Sequence, residues 1–389
     1  MFYYQICEVK KVKAVAVFPE RKEIRLIEQA EPQITGPNEV KLKILDVGVC
    51  GTDRHICTFA FGTPPEGCDY LILGHEALGE VIEVGTGVRH LKAGDLVVPV
   101  VRHPCTDPAC RTCRAGRQDF CFTGTYTERG IERLHGYMTE MVIDDASYLN
   151  LVPAELRSVA VLTEPLTIAE KAFAQVVQIQ QRLPWLYPDA STNEPGRGLK
   201  AVVLGAGPIG LLGAMYLVTA GFETYVYSRS PAPNNKAAIV EETGAKYISS
   251  ETTPIKEFAE MVGAFDLVYE ALDAAPLSIE VLQLLGRNGM FVFTSVPDER
   301  MTFGIDAVQA FHNVVMKNHV ILGTVNAGPA TFPAAIEHLG LFLRRWPHAL
   351  QTLITARYPV ERYGDLLIGK TGGIKNVFTF DEAFTKKVE

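Results

Sequence analysis

Roughly the first 100 residues contain several short segments rich in apolar and β-branched residues. Four of these segments are KVKAVAVF, EVKLKILDVGVC, HEALGEVIEVG and GDLVVPVV, and Gly, Pro and Asn residues separate them. Short segments of this kind between turn residues are typical of β-strands. The pattern therefore predicts a β-rich, barrel-like N-terminal domain.

The pattern changes after Pro165. TIAEKAFAQVVQIQQRL places its apolar residues at helical spacing, and the segment PWLYPDASTNEPGRG then interrupts the pattern with Pro and Gly. Continuous apolar strands follow from Lys200, namely AVVLGAG, ETYVYS, FDLVYEAL and GMFVFTS, with helical segments between them. Such alternation predicts a parallel sheet covered on both faces, that is, a doubly wound α/β domain. We expect the interruption to be a border loop and the mixed tail to pack back on the first domain.

Length and charge narrow the class of protein. A chain of 389 residues with 47% hydrophobic and 21% charged residues fits a globular protein of about two domains. A formal charge of −8 disfavours an extended phosphate-binding surface, so nucleic acid is not an expected partner. The N-terminus lacks a signal-peptide pattern, and no apolar run is long enough to span a membrane. We therefore expect a cytoplasmic protein without a membrane partner.

A glycine motif follows the first strand of the α/β domain. The sequence LGAGPIG contains a G-x-G-x-x-G pattern between an apolar strand and a helix. Such glycines allow a tight turn, a close approach of the backbone to a pyrophosphate and close packing of helix on strand. The motif predicts a dinucleotide site, with these candidate residues: Gly205, Gly207, Pro208, Ile209 and Gly210.

The next strand indicates which dinucleotide is preferred. It ends in Ser228, Arg229 and Ser230, where an acidic residue would hold the ribose 2′-hydroxyl of NAD. An Arg and two hydroxyls suit a 2′-phosphate, because a guanidinium can bind it with two hydrogen bonds. NADP is therefore preferred over NAD, although a solvated Arg229 would leave use of NAD open.

Two groups of residues could bind metal. Cys50, His75 and Glu76 offer the ligand types that zinc accepts at a site with an open position, although each also has an ordinary structural role. Half of the eight cysteines lie together in a C-x4-C-x2-C-x7-C pattern. A closed four-thiolate zinc site that does not catalyse is favoured for them, with disulfides as the alternative. These cysteines are Cys105, Cys110, Cys113 and Cys121.

Taken together, GHE, GEVIEVG and GDLVVP resemble the zinc-dependent medium-chain dehydrogenase/reductase superfamily over the whole chain. The phrases RQDFCFTGTYTERGI, LHGYMTE and EPLTIAEKAF are similar to its glucose 1-dehydrogenase family. The resemblance implies a GroES-like catalytic domain over residues 1–185 and 325–389, with a structural zinc lobe at about 102–122. It also implies a Rossmann domain over residues 186–324 that binds NAD(P).

The resemblance further implies two zinc ions per chain, one catalytic and one structural. Cys50 and His75 would bind the catalytic ion, and Glu76 or Glu164 would supply a carboxylate, the two exchanging during the reaction. The order of these two carboxylates is left open. The implied reaction oxidises C1 of an aldose such as glucose, galactose or xylose to the lactone, with hydride transfer to NADP.

Site roles also follow from the resemblance. Thr52 occupies the position of a proton-relay hydroxyl, and His55 that of a relay histidine in some relatives. Glu128 and Asn326, with Thr52 and Glu164, are the candidate sugar contacts. The family has a sugar-contacting asparagine just before the zinc lobe, and this chain has Val101 or Arg102 at that position instead. The candidate nicotinamide contacts are Thr294, Ser295, Val325 and Asn326.

Two other functions stay open at this point. The same metal would serve a polyol or secondary-alcohol dehydrogenase. A non-catalytic zinc or nucleotide-binding module built on the same fold is the alternative outside the enzymes. We expect a homo-oligomer, either a tetramer or a dimer, because that is common among the relatives.

Overall fold

A computed structural model describes residues 10–183, 194–296, 302, 304, 306–369 and 371–381. The chain divides into two compact units. The first comprises residues 1–164, 327–339 and 354–389, and the second comprises residues 165–326 and 340–353. Most of the expected border loop, PWLYPDASTNEPGRG, lies outside the described residues. The domain borders drawn from the sequence stay a prediction.

The strands are β1 (Lys11–Phe18), β2 (Glu23–Ala30), β3 (Glu39–Gly48), β4 (Leu71–Ile72), β5 (Glu76–Val84), β6 (Leu96–Pro99), β7 (Arg102–His103), β8 (Thr127–Arg129), β9 (Arg133–Leu134), β10 (Met141–Asp145), β11 (Leu149–Val152), β12 (Lys200–Leu204), β13 (Glu223–Ser228), β14 (Lys246–Ser249), β15 (Phe265–Glu270), β16 (Leu285–Phe293), β17 (Val320–Gly323), β18 (Ile354–Tyr358) and β19 (Lys375–Thr379).

The helices are α1 (Gly51–Ile56), α2 (Arg111–Arg114), α3 (Thr163–Gln180), α4 (Pro208–Thr219), α5 (Asn235–Glu242), α6 (Ile255–Val262), α7 (Ala275–Leu284), α8 (Ala307–Met316), α9 (Thr331–Arg345) and α10 (Pro347–Thr352). Short 3-10 turns cover Gln118–Phe120, Ala146–Tyr148, Ala154–Leu156, Ala160–Leu162 and Val360–Arg362, and a π turn covers Gly364–Ile368.

The first unit is built mainly from antiparallel sheets. Its largest sheet has the order β11-β6-β5-β3-β19-β18, and β10 also pairs with β3. Two three-stranded sheets, β2-β1-β4 and β7-β8-β9, complete the unit. Alternate residues of β3 and β5 point into one apolar core, whose members include Leu42, Ile44 and Val81. Because β19 pairs with β3, the C-terminal part of the chain completes the sheet that the N-terminal part begins.

The second unit contains a six-stranded parallel sheet. Its order is β14-β13-β12-β15-β16-β17, and every pairing is parallel. The order reverses direction between β12 and β15, which creates the crevice where doubly wound folds bind ligands. Helix α4 follows β12 and buries most of its residues, as its continuous apolar sequence predicts. The unit is therefore the doubly wound domain that the alternating pattern predicts.

No helix among the described residues is both long and apolar enough to cross a membrane.

Candidate functional site

One candidate metal site lies where β3 ends and β5 begins. The antiparallel register pairs Gly48 with Glu76, so Cys50, just beyond β3, comes opposite His75 and Glu76. The ligand atoms of these three residues all lie within 4.8 Å of one another. His75 and Glu76 are buried, and Cys50 is partly buried. The sheet thus brings together residues that are about 25 positions apart in the sequence.

Asp53 holds two parts of this site in place. Its Oδ2 accepts a hydrogen bond of 2.8 Å from the backbone N–H of Cys50, which caps α1. Its Oδ1 lies 3.4 Å from Nδ1 of His75. An acid near Nδ1 orients the ring and leaves Nε2 available for a metal. Asp53 therefore serves both as a helix cap and as a partner of the imidazole.

Glu76 forms a buried ion pair with Lys375 of β19. The Lys375 ammonium donates to both carboxylate oxygens, at 2.8 Å and 2.6 Å, and to the Val49 carbonyl at 3.2 Å. A Cβ on Gly48 would overlap Glu76 Oε2, so this glycine makes room for the carboxylate. The pair spans 299 residues of sequence, and sequence reasoning missed Lys375.

Glu164 stands at the first turn of α3 and is buried. Burial raises the pKa of Glu164 to about 7; the nearby His75 ring lowers this pKa, and the Glu76 carboxylate raises it. For His75, burial alone would lower the pKa. The neighbouring Asp53 and Cys50 raise it more, so the pKa of His75 lies well above its usual value. The pocket thus gathers several acidic groups that favour a nearby positive charge.

The donor set fits a zinc ion. A thiol, an imidazole and a carboxylate within one buried pocket match the ligand types of zinc sites that keep a position open for substrate. Lys375 already pairs with Glu76. Asp53 and Glu164 are two further buried carboxylates near His75. Their negative charge would attract a divalent cation to the donor set.

The two candidate proton-relay residues lie on α1. The side chains of Thr52 and Cys50 approach to 3.8 Å, so the Thr52 hydroxyl belongs to the metal pocket. The His55 side chain is exposed, and its ring stacks on that of Phe61 with the centroids 5.6 Å apart. One candidate therefore lies beside the donor set and the other at the surface.

The four clustered cysteines converge around α2. Their sulfur atoms all lie within 4.8 Å of one another, and all four are free thiols. Cys110 Sγ is 3.8 Å from Cys121 Sγ and 3.4 Å from the hydroxyl of Thr112. The four-residue step between Cys105 and Cys110 therefore still allows the sulfur atoms to meet.

The thiols of this cluster differ in acidity. Burial raises the pKa of Cys110, but hydrogen bonds from Thr112 and Cys113 outweigh it and bring the pKa to about 5, whereas burial raises the pKa of Cys113 to about 12. The hydroxyl of Thr123 donates to Cys105 Sγ at 3.4 Å and lies 3.2 Å from Cys121 Sγ. Four sulfur ligands in a shell of this size fit a closed tetrahedral zinc site.

Glu128, the candidate sugar contact on β8, forms a buried ion pair. The Arg102 Nε donates to its Oε1 at 2.9 Å, and the guanidinium lies 3.7 Å from the ring centroid of Tyr126. A Cβ on Gly130 would lie 2.5 Å from the Gly74 carbonyl, so the turn after β8 packs against the residue before His75. Sequence reasoning noted Arg102 as a departure from the family and did not find this pair.

The glycine motif forms a tight turn between β12 and α4. Gly205 has a φ of +102°, a conformation that favours glycine. A Cβ on Gly210 would overlap the Gly205 carbonyl oxygen, which explains the third glycine. A Cβ on Gly207 would meet no described atom within 4 Å, so open space faces this residue. Pro208 and Ile209 follow it and begin α4. The turn fits a bound pyrophosphate.

The Ser228, Arg229 and Ser230 segment is held by its backbone. The carbonyl oxygens of the three residues accept hydrogen bonds from Ser250, Ser249 and Tyr247 respectively. The Arg229 side chain is exposed and has no partner among the residues that the structure describes. It is therefore available to bind an anion.

The candidate nicotinamide residues fall in two loops of the second unit. Thr294 and Ser295 follow β16, and their backbone N–H groups donate to the Glu270 carboxylate. Val325 follows β17, and its carbonyl accepts a 2.8 Å hydrogen bond from the buried Lys171 of α3. Asn326 has a left-handed backbone with a φ of +58°. Both loops are thus fixed by contacts within this unit.

Comparison with known proteins decides the family. The family described as "Glucose dehydrogenase C-terminus" matches residues 157–380, which is more than half of the chain. The family described as "Alcohol dehydrogenase GroES-like domain" matches residues 36–154. The chain belongs to the glucose dehydrogenase family. The predicted combination of a GroES-like domain with a Rossmann-type domain is thereby confirmed.

Curated members of the glucose dehydrogenase family align over nearly the whole chain. A glucose 1-dehydrogenase from Thermoproteus tenax is 40% identical, with 94% of this chain and 99% of the relative covered. One from Methanocella arvoryzae is 37% identical, with 94% and 98% covered. The solved structure of Haloferax mediterranei glucose dehydrogenase in complex with NADP, Zn and gluconolactone is 30% identical. The two structures superpose with a TM-score of 0.83, over 95% of this chain and 99% of the Haloferax chain.

The two metal-type clusters generate a first prediction. Replacing the buried thiol in Cys113→Ser removes one of four sulfur ligands, so zinc should fall from about two ions per chain to about one, with a lower Tm. The exposed Cys68 lies outside both clusters, and Cys68→Ser should change neither quantity. Elemental analysis and thermal unfolding measure the two effects. Full zinc content in Cys113→Ser would contradict a metal site in the lobe.

The glycine turn generates a second prediction. In Gly207→Ala the new methyl group fills open space, so the fold should persist while NADP binds about tenfold more weakly or worse. In Gly210→Ala the methyl group overlaps protein backbone, so the free energy of unfolding should fall by about 1–3 kcal/mol. Calorimetric titration with NADP and denaturant unfolding separate the two outcomes. Unchanged NADP affinity in Gly207→Ala would show that the pyrophosphate binds elsewhere.

Proposed function

We propose that this chain oxidises the C1 hydroxyl of an aldose to the lactone, with hydride transfer to NADP. D-glucose is the main proposed substrate, and galactose and xylose are related candidates. The observation that carries the proposal is the buried donor set of Cys50, His75 and Glu76 in a member of the glucose dehydrogenase family. The NADP, Zn and gluconolactone complex of the Haloferax relative supports it.

Cys50, His75 and one carboxylate would hold the catalytic zinc. Lys375 donates to both oxygens of Glu76, so that carboxylate is already neutralised and held in place. Glu164 lies buried in the same pocket with a raised pKa, so a cation would favour its ionised form. We therefore assign both carboxylates as ligands that exchange during the reaction: Glu76, whose oxygen lies within 4.8 Å of the Cys50 and His75 ligand atoms, and Glu164, which is buried near His75.

A bound zinc would supply Lewis-acid polarisation of the C1 oxygen. The proton on that oxygen also needs an acceptor, and the Thr52 hydroxyl beside Cys50 can accept one proton and donate another. His55 is exposed to solvent on the same helix, one turn away. We assign these two residues as the relay that carries the proton out of the pocket.

The sugar hydroxyls need fixed polar partners. Glu128 is buried and held by Arg102, so its carboxylate offers acceptors in a defined orientation. Glu164 in the metal pocket and Asn326 after β17 are the other proposed contacts, together with Thr52. A site of this kind rejects analogues that leave its polar groups unpaired.

NADP is the proposed hydride acceptor. The turn of Gly205, Gly207 and Gly210 would bind the pyrophosphate, with Pro208 and Ile209 opening the helix behind it. The exposed Arg229, between Ser228 and Ser230, suits the 2′-phosphate of NADP, with NAD as the weaker alternative. Thr294, Ser295, Val325 and Asn326 would line the nicotinamide.

A second zinc would close the lobe. Cys105, Cys110, Cys113 and Cys121 provide four sulfur ligands, which leaves no position for a substrate oxygen. This zinc would stabilise the loop between β7 and β8 and take no part in the chemistry.

We also propose that the chain forms a homo-oligomer through the edge of the parallel sheet. Helix α8 exposes Val308, Phe311 and Val315 at helical spacing, with exposed fractions of 83%, 70% and 72%. Strand β17 lies at the end of the sheet and pairs only with β16 among the described strands. Exposed apolar side chains on α8 and an unpaired strand edge at β17 each suit a second copy of the same chain.

The substrate proposal is tested by following cofactor reduction with glucose, galactose, xylose and sorbitol. Each substrate is offered with NADP and, separately, with NAD. Aldoses should be oxidised and NADP should be the better acceptor, because Arg229 can bind the 2′-phosphate. Turnover of sorbitol with no reaction on any aldose would contradict the proposal and favour a polyol dehydrogenase.

The oligomer proposal is tested by light scattering coupled to size exclusion. In a variant combining Phe311→Glu and Val315→Glu, like charges would face each other across the interface, so the mass should fall toward that of the 42.7 kDa chain. Met261→Glu alters an exposed apolar residue of α6 and serves as the control. An unchanged mass for the double variant would contradict an interface at α8.

A further inference from the structure

Glu270 is a buried acid at the carboxyl end of β15. Only 1% of the residue is exposed, although it ends a strand in the middle of the parallel sheet. The neighbouring strands β12 and β16 end beside it. A carboxylate in this setting requires donors for both oxygens, because burial of an unpaired charge is costly.

The donors come from three backbone groups and one hydroxyl. Oε1 accepts from the N–H of Leu272 at 3.0 Å and from the Ser295 hydroxyl at 2.5 Å. Oε2 accepts from the N–H groups of Thr294 at 3.3 Å and Ser295 at 3.2 Å. Backbone N–H groups can only donate, so this arrangement suits the ionised carboxylate.

The carboxylate lies beside the proposed cofactor turn. The N–H of Ala271 donates to the Leu204 carbonyl at 2.9 Å, just before Gly205. A Cβ on Gly205 would lie 2.9 Å from both Ala271 O and Leu272 Cβ. The strand order reverses between β12 and β15, and ligands of doubly wound sheets bind at that point. Glu270 therefore places a fixed negative charge at the edge of the cofactor crevice.

We propose that Glu270 is a positioning residue for the nicotinamide end of the cofactor and favours the oxidised form. It acts through Thr294 and Ser295, whose backbone it fixes. Its charge also distinguishes the two cofactor states, because NADP+ carries a positive nicotinamide ring and NADPH does not. A buried negative charge stabilises the cationic ring more than the neutral one. The proposal rests on the proposed use of NADP.

A purely structural role predicts a different result. If Glu270 only held the ends of β15 and β16 together, its loss would weaken NADP+ and NADPH binding alike. The ratio of the two dissociation constants therefore separates an electrostatic role from a structural one.

The test compares Glu270→Gln with Asp266→Asn. Asp266 belongs to the same strand, toward its other end, and its Oδ2 accepts a 2.8 Å hydrogen bond from the backbone N–H of Lys200. Calorimetric titration of the full chain gives the Kd of NADP+ and of NADPH separately. Glu270→Gln should raise the Kd of NADP+ about three- to tenfold more than that of NADPH. Asp266→Asn should leave the ratio unchanged.

An unchanged ratio in a folded Glu270→Gln protein would overturn the inference. Should that variant fail to fold, Glu270→Asp keeps the charge and shortens its side chain by one methylene. Glu270→Asp should weaken binding of both NADP+ and NADPH and keep the ratio of their two Kd values within about twofold of the wild-type ratio. A larger change of this ratio despite the retained charge would overturn the inference. Wild-type protein that binds neither cofactor form would instead contradict the proposed use of NADP.

Discussion

The balance of charge in one buried pocket is the constraint on which the rest of the first unit depends. Asp53, Glu76 and Glu164 bring three carboxylates into the interior near His75. Lys375 supplies a positive charge to Glu76. Transfer of such groups out of water costs several kcal/mol per ion unless partners compensate it. A divalent cation at the donor set would be attracted to these carboxylates, so the folded pocket and the metal would stabilise each other.

The two units meet different physical requirements. In the first, antiparallel pairing of β3 with β5 and β19 assembles the ligands and the balancing lysine. In the second, parallel strands end together at one edge, where backbone N–H groups and a glycine turn suit an anionic cofactor. Glu270 adds a negative charge at that edge, and its hydrogen bonds join the ends of two strands. The sheet arrangement of each unit thus determines which chemistry it can perform.

Much of this architecture could be predicted from local sequence patterns. The strand ETYVYS forms with the predicted bounds, Glu223–Ser228, because apolar β-branched and aromatic residues cluster there between helical segments. The ion pairs could not be predicted in this way. Lys375 pairs with an acid 299 positions away, and Arg102 with one 26 positions away. No local periodicity distinguishes these cations from solvated ones, because their partners are chosen by strand register and packing.

The central claim is that hydride leaves C1 of an aldose and arrives on NADP. The most direct measurement incubates the zinc-loaded protein with NADP and D-glucose carrying deuterium at C1, and follows both products by mass spectrometry. The account predicts one deuterium in each NADPH formed and none in the lactone or the acid derived from it. Unlabelled NADPH, or a sugar oxidised at another carbon with its deuterium retained, would contradict the account.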